Sequence, residues 1–163
     1  MDQLWAPWRL GYVAAPKSSP NDPSCFICAG LASSEDRANL IVRRTRLSVI
    51  LLNKFPYNNG HLLIAPQAHK ADLQDLSAEE LLDGLEAVRT CVATLRGPLR
   101  PDGFNIGLNL GKAAGAGLPG HLHWHVVPRW SGDTNFMPVL ADVRVIVQSL
   151  DSLYDLLLRE WQP

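Results

Sequence analysis

The sequence predicts an α+β fold, an antiparallel sheet of about five strands carrying two main helices. Short β-branched or alternating runs at 42–52, 61–65, 104–110 and 121–127 are set apart by turn formers and prolines, as adjacent antiparallel strands require. A segment beginning at Ser77 and another near the C-terminus instead repeat apolar residues at helical spacing. With 163 residues, 47% hydrophobic and 19% charged, the chain suits one core of its own.

Residues 1–24 read as an irregular arm, broken by Pro7, Pro16, Pro20 and Pro23 and carrying Trp5, Trp8 and Tyr12 as apolar anchors. A single domain is expected over 25–163. Its strand-forming run at 42–52 places Arg43, Arg44 and Arg46 on a turn or a solvated edge. Asn53 to Gly60 is rich in turn formers, and the buried strand 61–65 that follows is stopped by Pro66. Ser77 with Glu80 forms a capping box, and Leu81, Leu85, Val88, Val92 and Leu95 mark one helical face until Gly97-Pro98. Cys91 falls inside this helix as a small core residue. Residues 112–120 hold too many Gly and Ala for a regular element. Leu150, Leu153, Tyr154, Leu157, Leu158 and Trp161 give an amphipathic C-terminal helix.

Charge narrows the function classes. Fifteen Lys+Arg against 16 Asp+Glu leave a net charge of −1, too little positive surplus for a nucleic-acid binder held by phosphate contacts. No apolar run approaches a bilayer's thickness, and the Met-Asp-Gln-Leu-Trp start lacks the pattern of a signal peptide, so neither a membrane nor secretion is expected. Three cysteines, two of them spaced as Cys25-x-x-Cys28, do not make a disulfide framework. They fit a reducing, cytoplasmic location. Zinc and thiol redox both use such a pair, but no βαβ pattern surrounds this one, which weighs against redox.

Three of the five histidines, His121, His123 and His125, alternate along one predicted strand. Alternate strand residues share a face at intervals of roughly 6.5–7 Å. Three imidazoles there would make a poor core, because each needs its hydrogen bonds satisfied. Either they hold a metal, or one is a nucleophile whose neighbours set its tautomer. Gly115, Ala116 and Gly117 lead into this strand, and small residues let backbone N–H groups approach an anion closely. Phosphoryl or nucleotidyl transfer is the chemistry that combines both features.

His121-Leu-His123-Trp-His125-Val-Val127 resembles the signature of the histidine triad (HIT) superfamily of nucleotide hydrolases and transferases. Asn53-x2-Pro56-x3-Gly60-His61 and Asn109-x-Gly111-x2-Ala114-Gly115 resemble that family's nucleotide-site segments. The aromatic start and Pro128-Arg129-Trp130, followed by Gly132-Asp133-x-Asn135-Phe136, are similar to the branch of bacterial diadenosine tetraphosphate phosphorylases and hydrolases. The resemblance implies a HIT-like sheet extended across a homodimer. It makes His123 the nucleophile toward an α-phosphate, with His125 orienting it and His61 supporting from the next strand. Asn53 is implied at the ribose, and Asn109, Gly115, Ala116 and Gly117 at the phosphate. The substrate implied is an adenine dinucleoside polyphosphate.

The resemblance also implies a structural zinc held by Cys25, Cys28, His69 and His121. The sequence departs from many relatives where a hydroxyl residue follows the small-residue loop, since Gly117 stands there. A non-catalytic nucleotide sensor is therefore an alternative, and a catalytic ion shared by the three histidines is another. Trp130 could stack on a base or simply pack, and Lys112 could meet a distal phosphate.

Overall fold

The structure, a computed structural model, describes residues 25–134 and 145–161. The expected N-terminal arm and Asn135-Phe136 lie outside the described residues. Elements follow in the order α1 (Phe26–Ala32), β1 (Ile41–Arg44), β2 (Ser48–Leu52), β3 (Leu62–Pro66), α2 (Ala78–Leu99), β4 (Gly103–Leu108), β5 (Trp124–Arg129) and α3 (Leu150–Glu160). The strands form one antiparallel sheet in the order β1-β2-β3-β5-β4. The expected strand number is met. Helix α1 was not expected: seven residues are too few to display a period.

Both faces of the central strands are covered, so β2 and β3 are buried at every position. Ile50, Leu52, Leu62, Ile64, Trp124 and Val126 meet α2 and α3 on one face. Val49, Leu51, Leu63 and Ala65 meet Ile27 of α1 and Leu118 on the other. Register assigns His125 to this second face, because it stands opposite Leu63 while Trp124 pairs with Ile64.

Two expected features change. Helix α2 has the capping box at Ser77 and Glu80, but it runs through Gly97 and Pro98 and ends at Arg100 in the left-handed region. A proline in the last turn removes one ladder bond without stopping the chain. Its buried stripe is Gly84, Ala87, Val88, Cys91 and Leu95, and Leu85 is 55% exposed. The Trp124 ring explains the rotation. A Cβ at Gly84 would lie 3.1 Å from it, so small residues must face the sheet there. Cys91 is buried as expected, and burial pushes its thiol up to about 12.

The histidine strand also begins later than expected. Its ladder starts at Trp124 and continues through Pro128 to Arg129. β3 ends at Pro66, so the backbone ahead of Trp124 finds other partners: Leu122 N–H donates to the Lys70 carbonyl at 2.7 Å. Pro128 is tolerated because β3 pairs with residues 124–126 and, among the described residues, only β4 continues as a paired strand beside it.

Arg44 is not merely a solvated edge residue. Its guanidinium donates to the carbonyls of Gly30, Leu31 and Ser33 at 3.0–3.1 Å and pairs with Asp36 at 2.6 Å. It thus gives hydrogen-bond partners to carbonyls at the C-terminal end of α1, the helix that carries Cys28. Trp130 packs, donating its indole N–H to the carbonyls of Leu99 and Arg100 at the end of α2. We expect Arg44→Met to lower unfolding stability in urea by about 1–2 kcal/mol, and Arg44→Lys to recover only part of it, since an ammonium lacks the planar fork.

Candidate functional site

The turn into β3 begins the site. Gly60 sits at φ +77°, and a Cβ there would meet Leu99 Cδ1 at 2.6 Å and Pro128 Cγ at 3.0 Å. Only glycine makes this turn between α2 and β5 without displacing either. The turn delivers His61, which is fully buried. Tyr57 N–H donates to His61 Nδ1 at 3.0 Å, and Asn53 Nδ2 lies 3.2 Å from the same nitrogen. A backbone N–H can only donate, so His61 Nδ1 carries a lone pair and the ring proton resides on Nε2.

That proton fixes the next ring. His61 Nε2 lies 2.9 Å from His125 Nδ1, so His125 Nδ1 accepts and its own proton sits on Nε2. His125 Nε2 is buried with no hydrogen-bond partner among the described residues. The Tyr57 ring stacks on His125 at 5.7 Å and packs on His61 at 4.6 Å, shielding both. Burial, and the neighbouring His123 ring, push His125 down to about 4.

His123 has the opposite tautomer. Its Nδ1–H donates to the His121 carbonyl at 2.8 Å, which leaves the lone pair on Nε2. Burial holds its pKa below the ordinary histidine value. The His123 and His125 rings lie 5.0 Å apart, edge to face. The pair therefore presents a neutral nucleophilic nitrogen beside a buried N–H donor, an arrangement suited to attack on an electrophile that gains negative charge.

His121 turns away from this pair. Its Nε2–H donates to the Pro66 carbonyl at 2.8 Å, and its Nδ1 lies 3.3 Å from Cys25 Sγ and 3.5 Å from Cys28 Sγ. His69 Nδ1 approaches Cys28 Sγ at 3.1 Å. Ligand atoms of Cys25, Cys28, His69 and His121 all lie within 4.8 Å of one another. Two thiols and two imidazoles, one oriented by a backbone carbonyl, are the donor set of a closed tetrahedral zinc site. Burial and the neighbouring Cys25 sulfur push the Cys28 thiol up to about 11, a cost that a divalent cation would offset.

The remaining expected residues flank the pair. Asn53 is part-buried, and its Oδ1 accepts Phe55 N–H at 2.9 Å, ordering the turn. Asn109 follows β4 directly, next to the Leu108–Trp124 pair that brings the chain alongside the start of β5. A short 3₁₀ turn at Lys112–Ala114 precedes Gly115, half-buried, Ala116, fully buried, and Gly117, exposed. Lys112 is exposed on that turn. Sequence reasoning missed Tyr57 and the Pro66 carbonyl. The hydrogen bonds of both come from the backbone, and a backbone contact leaves no residue-type signal.

A family model described as HIT domain matches residues 34–132. An AP-4-A phosphorylase of two Mycobacterium tuberculosis strains is 37% identical over 167 residues, covering 99% of this chain and 85% of that protein. The asymmetrical bis(5'-nucleosyl)-tetraphosphatase of Schizosaccharomyces pombe is 36% identical over 90 residues, 55% of this chain and 49% of that protein. Among solved structures, a Zn-bound histidine triad family protein from Mycobacterium smegmatis superposes with a TM-score of 0.67 at 28% identity, covering 84% of this chain and 92% of that one. A sheet of this order, with its histidines set beside a Cys-His cluster and a family match across most of the sheet, means that this chain belongs to the HIT domain family.

Proposed function

We propose that this protein is a HIT-type nucleotidyl hydrolase or phosphorylase that cleaves dinucleoside polyphosphates through a nucleotidyl-histidine intermediate. The observation that carries this reading is the pair of opposed tautomers, with a lone pair on His123 Nε2 and a proton on His125 Nε2. The names of the phosphorylase and tetraphosphatase relatives support the substrate class. His123 Nε2 attacks the α-phosphorus of diadenosine tetraphosphate, the bond to the bridging oxygen breaks, and ATP leaves with the electron pair. His125 Nε2–H faces the phosphate and holds its negative charge as it redistributes. Attack by water on the adenylylated histidine then releases AMP, and attack by inorganic phosphate releases ADP. His123 recovers its lone pair in both cases.

Asn53 contacts the ribose in this reading, and Asn109 with Gly115, Ala116 and Gly117 cradles the phosphate. Cys25, Cys28, His69 and His121 hold a structural zinc, a role supported by their clustering and by the Zn-bound relative. Such an ion fastens α1 and the Pro66–Lys70 segment to the base of the histidine strand. The two cysteines act as ligands and belong in a reducing, cytoplasmic setting. Residues 25–163 form one unit, and two copies pair as a homodimer. Gly117, without a hydroxyl, favours one second reading: a nucleotide sensor that binds without turnover.

With diadenosine tetraphosphate and phosphate, chromatography should find ATP plus ADP for a phosphorylase; without phosphate, ATP plus AMP marks a hydrolase. His123→Ala should lower turnover at least about a thousand-fold, the scale of losing a covalent nucleophile. Undiminished turnover in that variant would sink the reading, and tight binding with no acid-labile adenylyl-histidine would favour the sensor. Cys25→Ser should strip zinc, read by elemental analysis, and lower thermal stability. The pH–rate profile should stay flat from neutrality downward and fall only below the ordinary histidine range, because burial keeps both the His123 nucleophile and His125 neutral there. The sign for stability is the same. His125 is held below its unfolded value, so its contribution is present in full above about 6.5 and is lost as pH falls toward about 4.

A further inference from the structure

The Gly132-Asp133 motif after the histidine strand has no part in the chemistry just described, yet Asp133 is one of the most engaged side chains of the region. Its carboxylate is only 8% exposed. It accepts from Asn58 Nδ2 at 2.7 Å, Arg129 Nε at 2.6 Å and Nη2 at 2.8 Å, and Trp130 N–H at 3.1 Å. The guanidinium beside it holds its carboxyl well below the usual carboxylate range. Arg129 reaches onward to Asn105 Oδ1 of β4 at 2.6 Å, so Asp133 is anchored to the sheet.

Asn58 joins this anchor to the histidines. Its side-chain amide also donates to the Pro128 carbonyl at 3.3 Å, and its own carbonyl accepts His61 N–H at 3.3 Å. It directly follows Tyr57, whose N–H sets the His61 tautomer. Phe55 is 76% exposed, and Tyr57, though its ring lies on His61 and His125, is still 43% exposed, so packing alone does not fix the turn. Beside the Asn53–Phe55 bond, the charge-assisted Asn58–Asp133 hydrogen bond is the strong restraint on it.

We propose that Asp133 is a positioning residue for the histidine relay. By clamping Asn58 against the end of β5 it aims Tyr57 N–H at His61 Nδ1, which keeps one proton on His61 Nε2 and the next on His125 Nε2. The inference rests on the reading that His125 serves the phosphate, and it adds a residue outside the histidine set. A carboxylate there supplies an acceptor for Asn58 and for Arg129 together, which neither an amide nor a hydroxyl does equally well.

The test compares Asp133→Ala with Arg129→Met in the zinc-loaded protein. Side-chain ¹H–¹⁵N spectra report the His61 tautomer without substrate, and steady-state kinetics on diadenosine tetraphosphate report kcat and KM. In Asp133→Ala we expect the His61 signals to change from a single tautomer to a mixture, and kcat to fall about 10–100-fold at unchanged KM, the range seen when an orienting partner is lost. Arg129→Met keeps the carboxylate as acceptor for Asn58 and Trp130 N–H but removes its tie to β4, and should shift the tautomer and kcat less than Asp133→Ala does. An unchanged His61 tautomer in folded Asp133→Ala, or equal effects of both substitutions, would overturn the proposal. If Asp133→Ala does not fold, Asn58→Ser is read instead, its hydroxyl being too short to reach Asp133. A tautomer mixture there supports the proposal, and the wild-type tautomer refutes it. Absence of turnover by the wild-type protein would count against the enzymatic reading alone, because the spectra judge the clamp independently.

Discussion

A neutral imidazole has one donor and one acceptor, and main-chain groups decide here which nitrogen of His61, His121 and His123 plays which part. Tyr57 N–H dictates which nitrogen of His61 is bare, the His121 carbonyl dictates which nitrogen of His123 is protonated, and the Pro66 carbonyl does the same for His121. Because these donors and acceptors belong to the backbone, the protonation pattern is a property of the fold itself. Burial then holds all three rings of the motif in their neutral forms.

One short segment thereby serves two environments. His121 faces two sulfurs and His69, while His125 faces His61, Tyr57 and the His123 ring. The division arises where β3 ends. Pro66 offers a carbonyl but no N–H, so the segment opposite it leaves the ladder, and His121 rotates toward α1.

Much of this was legible in the sequence, for definite reasons. Period-two and period-3.6 patterns reveal strands and long helices because they reflect burial on one side. The four sulfur and nitrogen donors are grouped by the resemblance to the histidine triad family; residue type and spacing alone single out only the Cys25-x-x-Cys28 pair. Other features escaped. Helix α1 has too few turns to show a period, and Leu85 obeyed the helical spacing yet lies off the buried stripe, since the bulk of Trp124 chooses which residues face the sheet. Arg44 looked like a surface charge because its partners are carbonyls of a helix end, which no residue code announces. The Asn58–Asp133 contact spans 75 positions, and separation of that kind is supplied only by topology.

The cysteine–histidine cluster bears on chain entropy as well as geometry. Cys25 and His121 are 96 positions apart, so an ion holding both would close a loop over more than half the molecule. A covalent cross-link across roughly 100 residues removes about 4–5 kcal/mol of conformational freedom from an unfolded chain, and a coordinated ion acts in the same sense while it stays bound. The cluster would then restrain the disordered ensemble as a whole, and its loss would be felt across the sheet.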